Sequence, residues 1–242
     1  RLWIEDAWRA ASIRHGFQEI EGPMFEHLDV YTLKSGDGIV SELFSFKRDG
    51  GKDTYALRPE FTPTLARMVA ARGGSEPRPI KWFALPSHFR AERPQRGRLR
   101  EFRQWNVDML GLDDPSADAE VIATAVDCLC CLGLGPDTFR VRVSHRDAVA
   151  AALKSLGVGD EQMTAAFELL DRRDKLPQDV FAERASALGL SAKALAGFDA
   201  LAQTSAPLGT PLSEIAARAG LEASVLAPME AYGAALVEAG LE

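Results

Sequence analysis

Cysteine is scarce in this 242-residue chain, and its three copies crowd into one apolar stretch at Cys128, Cys130 and Cys131. An odd, clustered set on a predicted helix cannot form a disulfide framework, and no histidine lies at zinc-ligand spacing from it. The three are read as small buried hydrophobes in a reducing compartment. No apolar run reaches the roughly 18 residues that span a bilayer. No basic-then-apolar leader opens the chain, so neither secretion nor a membrane is expected, and the cytoplasm is the expected setting. Positive charge is also short: 28 Lys and Arg against 35 Asp and Glu leave a net charge of −7. That balance speaks against a protein that binds nucleic acid over its whole surface. An initial methionine is missing as well, and the opening at Arg1, inside a helical pattern, reads as trimmed.

The deficit of positive charge is reversed locally. Between Phe89 and Arg103 lie Arg90, Arg93, Arg96, Arg98, Arg100 and Arg103, against only Glu92 and Glu101. Such a segment either meets anions or is a solvated loop. Around it the pattern predicts a helix over Leu2–His15 closed at Gly16, a short extended stretch at Phe17–Ile20, and a hairpin through FSFKRDGGKDTYALRP. Phe61–Arg72 is predicted helical. Lys81–Arg90 and Glu101–Leu110 read as two strands joined by the arginine-rich loop, followed by a helix over Ala117–Leu132, a strand at Phe139–Val143 and a helix over Arg146–Leu156. Beyond Gly157 aromatics thin out and alanine and leucine dominate. The expected class is therefore α+β, a mainly antiparallel sheet flanked by helices in residues 1–157, followed by an all-helical segment in 158–242.

Side chains alternate along a strand, so Phe102, Gln104, Asn106 and Asp108 should share one face and Arg103, Trp105, Val107 and Met109 the other. With Arg90 at the end of the neighbouring strand, the first set suits a flat base, a phosphate and a small polar ligand; a sheet's solvent face would look similar. Glu60 and Thr62, pointing the same way in extended backbone, would suit an ammonium group, although Glu and Thr before a helix also serve as caps.

The string FRAERPQRGRLREFRQ, Phe89 to Gln104, closely resembles motif 2 of class II aminoacyl-tRNA synthetases in its histidyl-tRNA synthetase form. YALRPEFTPTLAR, DAEVI, Ser144-His145-Arg146 and LLDRRDK fall where that family has similar words, so the resemblance runs to about Leu176. It implies the front part of a class II catalytic core, with motif 1 in Leu2–Pro23 and 158–242 as an insertion or its start. The implied activity is ATP-dependent activation of histidine to histidyl-adenylate and its transfer to the 3′ end of the histidine tRNA. Glu60, Thr62 and Gln104 would hold the substrate ammonium, and Asp108 the imidazole. Arg90 would grip the α-phosphate and the substrate carboxylate, Glu92 would contact adenine, Phe102 would stack on it, and Arg98 would reach the phosphates or the tRNA acceptor end. ATP is the implied co-substrate, with Mg2+ on its outer phosphates. A homodimer is implied through motif 1, where Trp3, Ile4, Trp8 and Phe17 would supply the apolar contact. His15, His27, His88 and His145 match no catalytic position and are read as structural.

Two departures stand out. The RG-x-x-YYTG and GGGRYD segments, motif 3 and the anticodon-binding domain of the family have no counterpart in these residues, and Phe61 stands where the family commonly has glycine. The alternative is the synthetase-like regulatory subunit of ATP phosphoribosyltransferase. Such relatives commonly lose the ERPQ-x-GR loop, which this chain keeps.

Overall fold

The computed structural model describes residues 1–35, 37–91, 96–189 and 192–241. Two compact units divide at 137/138, ahead of the change in composition at Gly157.

In the first unit, helix α1 (Leu2–Arg14) places Glu5 in its first turn and Arg14 in its last, matching the helix dipole. Gly16 follows at a φ of +76°, a conformation that favours glycine, and turns the chain into strand β1 (Gln18–Glu19). Strand β2 (Phe25–His27) and helix α2 (Leu28–Ser35) come next, then the expected hairpin, β3 (Ser45–Lys47) and β4 (Thr54–Leu57). β4 lies between β2 and β3, antiparallel to both. Helix α3 (Thr62–Arg72) leads to β5 (Ile80–Ala84), β6 (Ser87–Phe89), β7 (Glu101–Arg103), β8 (Asn106–Leu110) and helix α4 (Pro115–Cys131). Asp114 caps α4 by accepting the Ser116 amide at 2.9 Å, with Pro115 at the first helical position, where a missing N–H does no harm.

The two long strands expected at 81–90 and 101–110 are each broken once. Pro86 explains the break, because it has no N–H to give the ladder. It can only receive, and the Gln104 amide donates to its carbonyl at 3.2 Å. The register survives the interruption: Ala84 stands opposite Asn106 on one side of it and Ser87 opposite Arg103 on the other. The alternation of faces survives too. Phe83, Leu85, Trp105, Val107 and Met109 pack with Phe17, Trp8 of α1 and Val121 of α4, while Ile80, Trp82, Ala84 and Leu110 pack with Phe61 and Leu65. The sheets are antiparallel apart from β1, which runs parallel to β5.

Helix α1 is fastened to the first of these faces. Trp8 stacks on Trp105 at 6.1 Å, the Trp105 indole donates to Ser12 Oγ at 2.9 Å, and Ser12 donates to the Trp8 carbonyl at 2.9 Å. Arg103 grips the buried Glu5 carboxylate with two nitrogens, at 3.0 and 3.2 Å. Phe17 is only 3% exposed and Trp8 leans on Trp105, so these two serve the chain's own core rather than an outer contact. The outward apolar residues of α1 are instead Leu2, Trp3, Ile4 and Ile13. Cysteine burial is also split: Cys128 is buried, whereas Cys130 and Cys131 are exposed, with Cys131 Sγ 3.0 Å from Arg14 Nη2. Helical spacing turns only Cys128 inward.

The second unit is helical: α5 (Arg146–Ser155), α6 (Met163–Asp171), α7 (Gln178–Ala187), α8 (Ala192–Gln203), α9 (Leu212–Ala219) and α10 (Pro228–Glu238). Leu153, Val158, Leu169, Phe181 and Phe198 form one core, and Ala148, Ala216 and Leu226 another. The strand expected at Phe139–Val143 is not formed. Its alternation is real, but none of the described residues pairs with it as a strand, and Val141 and Val143 stay exposed.

Arg103 and, secondarily, Arg1 hold the Glu5 carboxyl at about 2, against 4.5 for an ordinary glutamate. Between those values the unfolded chain binds more protons than the folded one, so this contribution is full above about pH 4.5 and drains as pH falls toward 2. Glu5→Gln should lower stability near neutrality by roughly 1.5–3 kcal/mol, toward the smaller figure because Arg103 is partly exposed. It should also flatten the acid-side loss. Urea unfolding at pH 7 and pH 3 measures both, and identical profiles for the two proteins would remove Glu5 from this role.

Candidate active site

The segment after β4 passes through Arg58-Pro59-Glu60-Phe61 before α3 begins. Arg58, 6% exposed, anchors it from within. Its Nε donates to the Ser87 carbonyl at 2.7 Å, and its Nη1 to the carbonyls of Gly22 and Pro23 at 2.8 and 3.0 Å. Backbone bonds run the same way, from the Phe89 amide to the Arg58 carbonyl and from the Arg58 amide to the Met24 carbonyl. The loop bearing Glu60 is thereby sewn to β6 and to the turn after β1. Burial pushes the Arg58 pKa down, yet a guanidinium stays charged over any ordinary pH. Three backbone carbonyls stand in for a counter-ion.

Arg90 lies at the end of β6. Its Nε donates to the Pro59 carbonyl at 3.1 Å, and its guanidinium carbon sits 5.3 Å from the centre of the Phe102 ring. The residue therefore bridges the Glu60 loop and the aromatic of β7. His88, directly opposite Phe102 in the ladder, stacks on it at 5.6 Å. Its imidazole is buried, and burial first, then Arg58 and Arg90, push its pKa down to about 4; the Pro86 backbone and Glu60 act the other way. A neutral ring between two guanidiniums backs the aromatic without adding to the positive charge.

Opposed residues in an antiparallel ladder share a face. Phe102, Gln104, Asn106 and Asp108 thus stand with His88, Pro86, Ala84 and Trp82, on the side away from α1. Gln104 is exposed, and Asp108 is half-buried with its pKa raised by burial. Arg98 is exposed in the loop, next to Gly97, whose φ of +82° makes the turn. Glu92 lies outside the described residues. The extended backbone expected through Glu60 and Thr62 is not what forms: Phe61 has helical angles, φ −92° and ψ −27°, as the cap residue of α3, and makes no side-chain cap bond. Its ring is buried, with half-buried Glu60 before it and exposed Thr62 after it.

The sequence alone did not single out Arg58 or the Pro59 carbonyl, and it marked His88 as structural without showing what it backs. Their positions depend on pairings between distant strands, for which no local pattern exists. Asn106 was placed on the polar face without a role; its Oδ1 is buried and has no hydrogen-bond partner among the described residues. A buried amide oxygen left in that state calls for a donor. The four histidines are all in contact with their surroundings, His15 with Glu120, His27 with Tyr55, His145 with Tyr232, and His88 as above.

The family model described as histidyl-tRNA synthetase matches residues 3–239. The chain belongs to the histidyl-tRNA synthetase family. It is similar to the histidine–tRNA ligase of Haloarcula marismortui, 42% identical over 206 residues, which are 85% of this chain and 47% of that protein. With the histidine–tRNA ligase of Opitutus terrae it shares 38% identity over 239 residues, 93% of this chain and 53% of the relative. The chain thus spans about half the length of the relatives it matches. Among solved structures, a histidyl-tRNA synthetase from Nostoc superposes with a TM-score of 0.80 at 19% identity, covering 100% of this chain and 55% of that one. A protein from Bacillus halodurans titled as an ATP phosphoribosyltransferase regulatory subunit/histidyl-tRNA synthetase gives 0.76 at 24%, covering 98% and 60%. These two likenesses establish the fold, a class II synthetase fold.

Arg58→Lys tests how the family's LRPE segment is held here. One ammonium cannot reach three carbonyls arranged around a planar fork, so buried acceptors are left unmet. A loss of about 1–3 kcal/mol for each unmet group is expected in urea unfolding. A change below about 0.5 kcal/mol, ordinary for a surface site, would show that Arg58 does not anchor the loop.

Proposed function

We propose that this chain carries the front part of a histidine–tRNA ligase active site, which activates histidine with ATP and passes it to the 3′ end of the histidine tRNA. The observation that carries this reading is the placement of Arg90 between the Pro59 carbonyl and the Phe102 ring. Activation joins a carboxylate to the α-phosphorus of ATP, with pyrophosphate leaving. Two anions must be brought together in line and their charge neutralised, and little proton transfer is needed. A planar guanidinium already oriented by a carbonyl and a ring suits that task better than a mobile ammonium.

In this reading Phe102 stacks on adenine, and Arg90 holds the α-phosphate and the amino-acid carboxylate. Glu60, Thr62 and Gln104 receive the ammonium. Asp108 accepts a hydrogen bond from the imidazole, and such a donor would offset the burial that raises its pKa. Glu92 contacts adenine, and Arg98 reaches the phosphates or the tRNA end. Among the described residues no group of three or more His, Cys, Asp or Glu side chains is placed to hold a metal. Mg2+ would accordingly enter with the outer phosphates of ATP, and no step is assigned to it. Residues 1–157 would be the front of the class II core and 158–242 an insertion or its start. No described helix is long and apolar enough to cross a membrane, and a cytoplasmic setting accords with the activity. Leu2, Trp3, Ile4 and Ile13, exposed on α1, favour a two-fold contact with a second copy, which a sedimentation run at micromolar concentration would detect. Retention of Arg96 and Arg98 after Pro94-Gln95 favours a ligase over the regulatory-subunit alternative.

Histidine-dependent pyrophosphate exchange tests the reading. The family's motif 3 arginine and the later arginine on the far side of the α-phosphate have no counterpart in these residues. Each such donor is worth about 10²–10³ in rate, so the 242-residue chain should fall several orders of magnitude below a protein containing both. Asp108→Ala should weaken histidine binding to the chain by roughly 10- to 100-fold and leave ATP binding within about twofold. Equal loss of both ligands would refute a histidine-side role for Asp108.

A further inference from the structure

Phe61 stands between two residues assigned to the amino-acid ammonium, where glycine is common in the family. Its helical backbone angles need no glycine, so the substitution carries no conformational penalty. The ring has gone into the core instead: Phe61 is 1% exposed and packs with Leu65, Ile80, Trp82 and Ala84. Room for it comes from Gly22. A Cβ built on Gly22 would lie 2.8 Å from Phe61 Cε2 and 2.8 Å from Thr64 Cγ2, closer than real contacts come. Gly22 is also one of the carbonyls gripped by Arg58, so the backbone beside the ring cannot drift. On the other side Trp82 is the ladder partner of Asp108 and shares its face. The Phe61 ring therefore touches neighbours of two parts of the amino-acid site, the Glu60–Thr62 turn and Asp108. The Glu60–Thr62 turn lies on its own backbone, Arg58 acts through Gly22, and Asp108 is reached across Trp82.

We propose that Phe61, seated against Gly22, is a positioning residue for the amino acid: its buried ring fixes the turn that presents Glu60 and Thr62. This rests on the histidine-site reading above. Phe61 contacts no substrate; it acts by restricting the turn, and a misplacement of about 1 Å in such a site can cost up to 10²-fold. Phe102 is not in the ring's cluster, and Arg90 meets the loop at the Pro59 carbonyl, next to the Arg58 anchor, so the effect should fall on the amino acid more than on ATP.

The test is a cycle of three variants of the 242-residue chain, Gly22→Ala, Phe61→Leu and the two combined. Histidine and ATP binding are read by calorimetry, and folding by circular dichroism and thermal midpoint. Gly22→Ala should push the ring and weaken histidine binding about tenfold, with ATP unchanged within about twofold. Phe61→Leu should weaken histidine binding similarly by loosening the turn, and the combined variant should recover part of the loss, because leucine leaves space on one side of the added methyl while Thr64 still crowds the other. Gly22→Ala and Phe61→Leu with wild-type histidine affinity, or equal losses for both ligands, would overturn the role of Phe61. So would a folded combined variant no better than Gly22→Ala. If Gly22→Ala does not fold, Phe61→Leu decides alone by the same split between ligands. Wild-type chain that binds ATP but not histidine would sink the site reading itself, and this inference with it.

Discussion

The single register shared by 80–89 and 101–110 is the constraint on which the rest of the first unit depends. A slip of one residue would turn every side chain to the opposite face. Trp105, Val107 and Met109 would leave α1 and α4, and Phe102 and Asp108 would be buried beneath them. Pro86 makes this register locally weaker, since it withdraws a donor from the ladder. The Gln104 amide still reaches the Pro86 carbonyl, and the packing on both faces holds the alignment across the gap. The interruption softens the middle of the hairpin without altering what stands opposite what.

Much of this was legible from the residues. Alternation along 101–110 separated the face that meets α1 from the face that bears Phe102, Gln104 and Asp108. The broken ladder was not read, although Pro86 was the cue, because a pattern of apolar residues continues through it. Phe139–Val143 fails for the converse reason: alternation states what a strand would look like, and pairing requires a second strand. Phe17 and Trp8 were assigned to an outer contact because an aromatic on a terminal helix looks the same in sequence whether it faces a partner or its own core. Arg58 and His88 were out of reach, since a buried charge is explained only by the carbonyls and rings that fold around it.

The electrostatics of the two faces differ in kind. On the α1 side Arg103 meets a carboxylate, Glu5, and a charge is met by a charge. On the opposite side the Arg58 guanidinium donates to three backbone carbonyls, the Arg90 Nε has a carbonyl partner, and His88 is held neutral by burial first and then by both guanidiniums. Carbonyl dipoles orient a guanidinium without cancelling its charge. Arg58 and Arg90 therefore come to the candidate site with their orientation already set, which is a condition for stabilising an anion without reorganisation.

Gln104 illustrates how such a face can be precise while staying open. It is exposed, and its immediate neighbours in the chain both point the other way. Arg103 is tied to Glu5 by two bonds, and Trp105 to Ser12 by one and to Trp8 by stacking. With the residues before and after it fixed to α1, the backbone at Gln104 has little freedom, although its amide faces solvent. A site built this way takes its rigidity from behind, through contacts that a ligand never meets. Helix α1, which contributes no residue to the candidate site, is for that reason part of what makes it exact in position, and the loss of Glu5 or Trp105 would be felt at Gln104 before it was felt elsewhere in the site.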